Sequence, residues 1–253
     1  MRVAALHDVH GNLPALEAVL AEVAAIDVDR IVCGGDVVAG PYPRECLERL
    51  LGFGAAFVRG NADHESPRAP AGLWDWVAAR LDPVSLDFLE QLPQSVALGG
   101  VRYCHGSPRD EDEILTRISP DERFGAALAG VEERLVVGGH THVQYVREVG
   151  WGDSPGDSPP PRALTPGTVP GTVPRWLFAN AGSVGMPYEG RPGAFWALVE
   201  GEAVEHRHTP YAVDAACAAI RGSGYPLADD LCSLLLDPKD PDEVSAYFES
   251  IAA

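Results

Sequence analysis

The chain has 253 residues, an apolar fraction of 46% and a formal net charge of −18. That length and apolar content exclude wholesale disorder and suit one large domain or two small ones with a sizeable core. The acidic balance repels phosphate backbones, so nucleic acid is disfavoured as a tight partner; a small phosphorylated substrate stays open, because bound cations reverse the local field.

The N-terminal run from Met1 to Leu6 is too short for a signal peptide and meets Asp8 and His10 without a small-residue cleavage site. No later apolar run approaches the ~18 residues of a spanning helix. A cytoplasmic protein with no membrane partner is expected. Val3 to Leu6 reads as a buried strand. Leu13, Leu16, Leu20 and Val23 then recur at helical spacing, with Asn12 as N-cap and Pro14 in the first turn. Arg30–Cys33 is a second strand, residues 44–51 a short helix and residues 55–58 a third strand. This alternation implies right-handed crossovers and a mostly parallel sheet.

Residues 65 to 95 read as helical, broken by Pro83; Trp74 and Trp76 lie two apart, so one suits the core and the other a pocket wall. Strands are expected at 101–104 and 134–137, with a helix at 121–129 between them. Residues 150–174 are dominated by Gly, Pro, Ser and Thr, and read as an exposed insertion loop within a single domain spanning 1–253. Strands follow at 175–179, 194–199 and 203–208, the last two joined by a Glu-Gly-Glu turn, and helices at 213–220 and 242–251 close the chain. The five cysteines form no Cys-x-x-Cys pair, and their odd count and wide spacing point to buried free thiols.

Five short blocks place metal-ligand residue types directly after an apolar strand. They are Asp8-Val9-His10, Gly35-Asp36, Gly60-Asn61, His105-Gly106 and Gly139-His140-Thr141-His142. In an open α/β sheet, ligands bind beyond the carboxyl ends of strands, so five strand ends can converge on one crevice. In extended backbone, residues i and i+2 point the same way, which gives Asp-x-His and His-x-His a common target. Taken singly, each residue has a plainer reading. An aspartate after a strand caps a helix, a lone histidine is a satisfied core group, and Asn61 after glycine is a turn residue. Their joint occurrence, in order, carries the functional reading. Carboxylate, imidazole and amide oxygen without thiolate suit two divalent cations, manganese first, with Fe, Zn, Ni or Co as alternatives. Hydrolytic metal pairs sit ~3.5–4 Å apart, bridged by a carboxylate.

These blocks resemble the calcineurin-like metallophosphoesterase superfamily, whose pattern is D-x-H, G-D, G-N-H-D/E, H and G-H-x-H. The likeness covers roughly the first 145 residues. His10-Gly11-Asn12-Leu13 and the late run Asn180-Ala181-Gly182-Ser183-Val184-Gly185-Met186-Pro187 resemble its small bacterial and archaeal branch. The resemblance implies an α/β fold, a four-layer α-β-β-α sandwich with two central mixed sheets. It implies that Asp8, His10 and His142 hold one metal, that Asn61, His105 and His140 hold the other, and that Asp36 bridges. Asp36, Asn61 and His105 double as catalytic residues. It implies a phosphodiesterase or phosphatase in which a metal-bound hydroxide attacks phosphorus in line.

Two positions depart from the family pattern. His7 stands where serine is usual, and Ala62 stands where many members carry a histidine that stabilises the transition state or protonates the leaving group. Asp63, which would orient that histidine, remains, and His64 reads as an exposed loop residue or a substitute. The loss keeps alive a weakly active or non-catalytic metal-binding scaffold of the same fold, as one retromer subunit is regarded. His206 and His208 share one side of a strand, a half-exposed edge rather than a second metal site. Arg109 and Arg117 read as surface ion pairs rather than substrate contacts. A homo-oligomer is left open.

Overall fold

In the computed structural model, which describes residues 1–150 and 175–252, the alternation of the first strand sets the layering. Strand β1 (Arg2–Leu6) turns Ala4 and Leu6 to one face and Val3 and Ala5 to the other. Ala4 and Leu6 join a core with Leu16, Val19 and Leu20 of α1 (Leu13–Ala25). Val3 and Ala5 join a second core with Tyr103, Leu135, Val137 and Ala179, which lies between two sheets.

The first sheet contains β1, β2 (Arg30–Cys33), β3 (Ala56–Phe57), β9 (Ala194–Glu200) and β10 (Ala203–Thr209), in the order β10-β9-β1-β2-β3. The second contains β4 (Ser95–Leu98), β5 (Val101–Cys104), β6 (Leu135–Gly138), β7 (Tyr145–Gly150) and β8 (Arg175–Asn180), in the order β4-β5-β6-β8-β7. Each is mixed: β1–β2–β3 and β5–β6–β8 are parallel, and the remaining neighbours are antiparallel. Helices α1, α2 (Pro43–Gly52), α3 (Leu73–Ala78) and α4 (Pro83–Glu90) bring residues to the outer core of the first sheet. Helix α5 (Asp121–Ala127) covers the second sheet through Phe124 and Ala127. The result is the four-layer arrangement with two central mixed sheets. Helices α6 (Val213–Gly222) and α7 (Ala228–Leu236) form a satellite core, and α8 (Pro241–Ile251) ends the chain.

Asn12 caps α1, its side chain accepting from Ala15 N at 3.3 Å. The helical reading of 65–95 narrows to α3 and α4, interrupted before Pro83, which opens α4 because a first-turn proline has no amide to lose and Asp82 caps the turn through Ser85 N at 2.7 Å. Strand β3 is shorter than expected, and β4, β7 and α7 were not anticipated. Strands β4 and β7 lie at sheet edges with partly solvated faces, so neither shows a sustained apolar run. All five cysteines are free and buried. No helix among the described residues is long and apolar enough to cross a membrane. The expected 150–174 insertion lies, beyond Gly150, outside the described residues.

Leu47 of α2 is 1% exposed within the helix-side core. Leu47→Ala should cost about 2–5 kcal/mol in urea unfolding. A loss under about 1 kcal/mol contradicts this packing.

Candidate metal centre

The five ligand-type blocks leave β1, β2, β3, β5 and β6 at their carboxyl ends, as parallel strands of two apposed sheets allow. The backbone there is strained. Among the described residues, the non-glycine positions with positive φ are Asp8 (54°), His10 (46°), Asp36 (53°), His140 (66°) and His142 (58°). Left-handed backbone costs an L-residue roughly 1–2 kcal/mol. Hydrogen bonds between loops hold it: His10 N donates to Asp36 O (2.8 Å), Asp8 N to Gly35 O (3.1 Å) and Gly185 N to Asp8 O (2.9 Å).

The side chains converge. Asp8, His10 and His142 have ligand atoms within 4.8 Å of one another, and so do Asp8, Asp36 and His105. Asp8 Oδ1 lies 3.1 Å from His142 Nε2, 3.8 Å from His105 Nε2 and 3.9 Å from His10 Nε2. Asp36 Oδ2 sits between His105 Nε2 (3.4 Å) and His10 Nε2 (3.7 Å), while its Oδ1 accepts from Ala62 N at 2.7 Å. Asn61 Oδ1 is 2.9 Å from His105 Nε2. His140 stands beside them, its ring centroid 5.0 Å from that of His105. Asp8 is thus common to both groups, and Asp36 Oδ2 faces an imidazole from each sheet.

A cation fits this donor set. His142 Nδ1 donates to Met186 O (2.7 Å) and His105 Nδ1 to Gly34 O (2.9 Å), which leaves each Nε2 as a lone pair aimed inward. His10 Nε2 and His142 Nε2 approach to 3.1 Å. Buried Asp8 Oδ1 accepts no well-formed hydrogen bond. Converging acceptors in a buried site need positive charge between them.

The metal-free electrostatics agree. Burial alone would lower His105, but the carboxylates of Asp36 and Asp8 outweigh it and raise the imidazole to about 10. Burial opposes ionisation of Asp8, yet His142 and His105 hold it down at about 2. Asp36 is held well below the carboxylate range against burial, chiefly by His105. Burial lowers His140 to about 3, helped by His105. A proton on His105 stands in for cationic charge.

The bracing roles of several residues singled out in the sequence were not legible there. Asp63 orients no histidine here. Its carboxylate accepts from Val37 N (2.7 Å), Val38 N (3.1 Å) and Gly60 N (3.3 Å), tying the Asp36 loop to the Asn61 loop. Burial and the charge of Asp36 push it up to about 7. Ser183 Oγ donates to Asp8 O (2.8 Å), and Asn180 Nδ2 to Gly139 O (2.6 Å) and Thr141 Oγ1 (3.0 Å). The late Asn180–Pro187 run therefore braces the ligand loops, a role with no local sequence signal. His7 is fully buried, and burial lowers it to about 4. It fills the space beside Gly34, where a Cβ would lie 1.9 Å from the ring.

The other candidates fall outside the cluster. His64 Nε2 turns to Glu111, 3.5 Å away. His206 and His208 bond separate carbonyls, Asn180 O (3.0 Å) and Pro192 O (2.9 Å), on the edge strand β10. Arg109 pairs with Glu113, and Arg117 with Asp242. Trp74 and Trp76 both pack half-buried against the helix-side core, so neither is set apart as a pocket wall.

Two mixed sheets that deliver carboxylate and imidazole to one crevice define a metallophosphoesterase fold. The chain belongs to the calcineurin-like phosphoesterase superfamily, whose domain profile matches residues 1–202. It is 30% identical to a metallophosphoesterase from Sphaerobacter thermophilus, with a TM-score of 0.71 over 94% of this chain and 98% of that one. A hypothetical protein from Pyrococcus horikoshii OT3, 20% identical, shares the fold with a TM-score of 0.71 over 94% and 99% of the two chains. An uncharacterized protein of Methanocaldococcus jannaschii is 28% identical over 214 residues, 78% of this chain and 82% of that protein.

With His105 raised to about 10, the metal-free protein holds a proton there at pH 8, and a ligating Nε2 must give it up. Manganese titration by calorimetry, in buffers of differing ionisation enthalpy, should show release of about one proton that His105→Asn abolishes. Equal release by both proteins contradicts the assignment.

Proposed function

We propose that this chain is a dinuclear metal-dependent phosphoric ester hydrolase acting on small phosphodiesters or phosphomonoesters. The observation that carries this reading is that every non-glycine positive-φ residue among those described is one of the seven ligand-type residues. Strain concentrated on one constellation points to function. In this reading Asp8, His10 and His142 hold one cation, Asn61, His105 and His140 the other, and Asp36 both. The mixed N/O set favours manganese, with Fe, Zn, Ni or Co as alternatives.

Bound cations supply Lewis acidity, lowering the pKa of a coordinated water and offsetting phosphoryl charge. The chain's own residues preorganise the site. Ala62 N and the Asp63 carboxylate lock the Asp36 and Asn61 loops, and backbone carbonyls lock the tautomers of His105 and His142. Asp36, Asn61 and His105 form the catalytic centre. With alanine at position 62 and His64 turned to Glu111, no side chain there protonates the leaving group, so substrates with good leaving groups are favoured. The chain acts as one cytoplasmic metallophosphoesterase domain, with small molecules rather than nucleic acid or membranes as partners.

Manganese-loaded protein should hydrolyse bis(p-nitrophenyl) phosphate or p-nitrophenyl phosphate, and Asp36→Ala should fall to background. No turnover with Mn, Fe, Zn, Ni or Co, once metal occupancy is verified, removes the enzymatic reading and leaves a metal-binding scaffold. Ala62→His should raise kcat for poor leaving groups, toward the ~100-fold typical of a positioned general acid. An unchanged kcat, with metal content intact, rejects the proposed role of that position.

A further inference from the structure

Beyond residue 202, outside the match to the family domain, lie β10, α6, α7 and α8. Helix α8 comes back to the ligand cluster and is fastened beside it. Glu249 accepts from Thr116 Oγ1 (2.7 Å), from Arg123 Nη1 (2.9 Å) and from the Ser119 hydroxyl. Asp242 pairs with Arg117. These anchors set Phe248 with its ring centroid 6.3 Å from His140 and 6.5 Å from Tyr188. Tyr188 in turn stacks on His142 at 5.1 Å, with 15° between the rings. A continuous aromatic run, His142–Tyr188–Phe248–His140, therefore borders the cluster. Tyr247, 6.0 Å from Phe248 and 62% exposed, extends it to the surface.

Helix packing alone does not account for this wall. Tyr188 and Phe248 stay half-buried and Tyr247 is largely solvated, so ring surface is left beside the cluster of carboxylates and imidazoles. The charge of a phosphoryl group belongs with the cations, and the apolar ring faces lie beside them. They fit a flat group attached to it.

We propose that Tyr188, Tyr247 and Phe248 form a subsite for an aromatic group, aryl or nucleobase, carried by the phosphoester substrate. The inference rests on the phosphoesterase reading and makes α8 a specificity element.

The test is equilibrium binding, which needs no turnover. Phenylphosphonate and cyclohexylphosphonate carry rings of similar size on a C–P bond that a phosphoesterase does not cleave. Calorimetry on the manganese-loaded full chain should find phenylphosphonate bound about three- to tenfold more tightly. Phe248→Leu and Tyr247→Ala should each erase most of that preference. If Phe248→Leu fails to fold, the exposed Tyr247→Ala decides. Equal affinity for the two ligands, a preference that survives the substitutions, or no binding of either phosphonate overturns the proposal. Turnover of bis(p-nitrophenyl) phosphate is scored separately. A ring preference without turnover removes the phosphoesterase reading and keeps the aromatic subsite.

Discussion

Converging acceptors are the constraint around which the rest is arranged. Asp8 Oδ1, Asp36 Oδ2, Asn61 Oδ1 and the Nε2 atoms of His10, His105 and His142 crowd into a few ångströms, largely out of water. Such a set repels itself unless positive charge enters it. The backbone resists it as well, because five of the residues involved are left-handed. Both costs are carried by the fold around them. Parallel strands from two sheets end at one edge, and hydrogen bonds such as Gly139 N to His105 O (2.8 Å) lock neighbouring loops together.

Electrostatics and packing support this in different ways. In the metal-free state the histidines divide: His105 gains a proton from the acidic field, while His7, His10 and His140 are kept neutral by burial. Asp63 works through the backbone, since its contacts are to amides and not to the clustered carboxylates and imidazoles. His7 works by volume, as the adjacent glycines show. The cluster therefore depends on residues outside it.

The family profile matches residues 1–202, and position 62 within it departs from the family pattern. Alanine at 62 removes a side chain from the pattern but keeps an amide that grips Asp36. Helix α8 adds aromatic rings beside the histidines.

The candidate ligand blocks were legible as residue patterns because each is local. Asp8/His10 and His140/His142 are i, i+2 pairs beside glycine, directly after short apolar runs, and that signal needs no tertiary partner. Helix α1 with its Asn12 cap, strands β1, β2, β5 and β6, and the hairpin β9–β10 were readable for the same reason. Strands β4 and β7 were not, because an edge strand is defined by the neighbour it pairs with more than by its own pattern. Only the tertiary structure decided that Asp63 serves amides 25 and 26 residues away, that Ser183 reaches back 175 residues to Asp8, and that Phe248 stands beside His140. Contacts between residues so far apart leave no periodicity along the chain; the packing of sheets and helices alone brings them together.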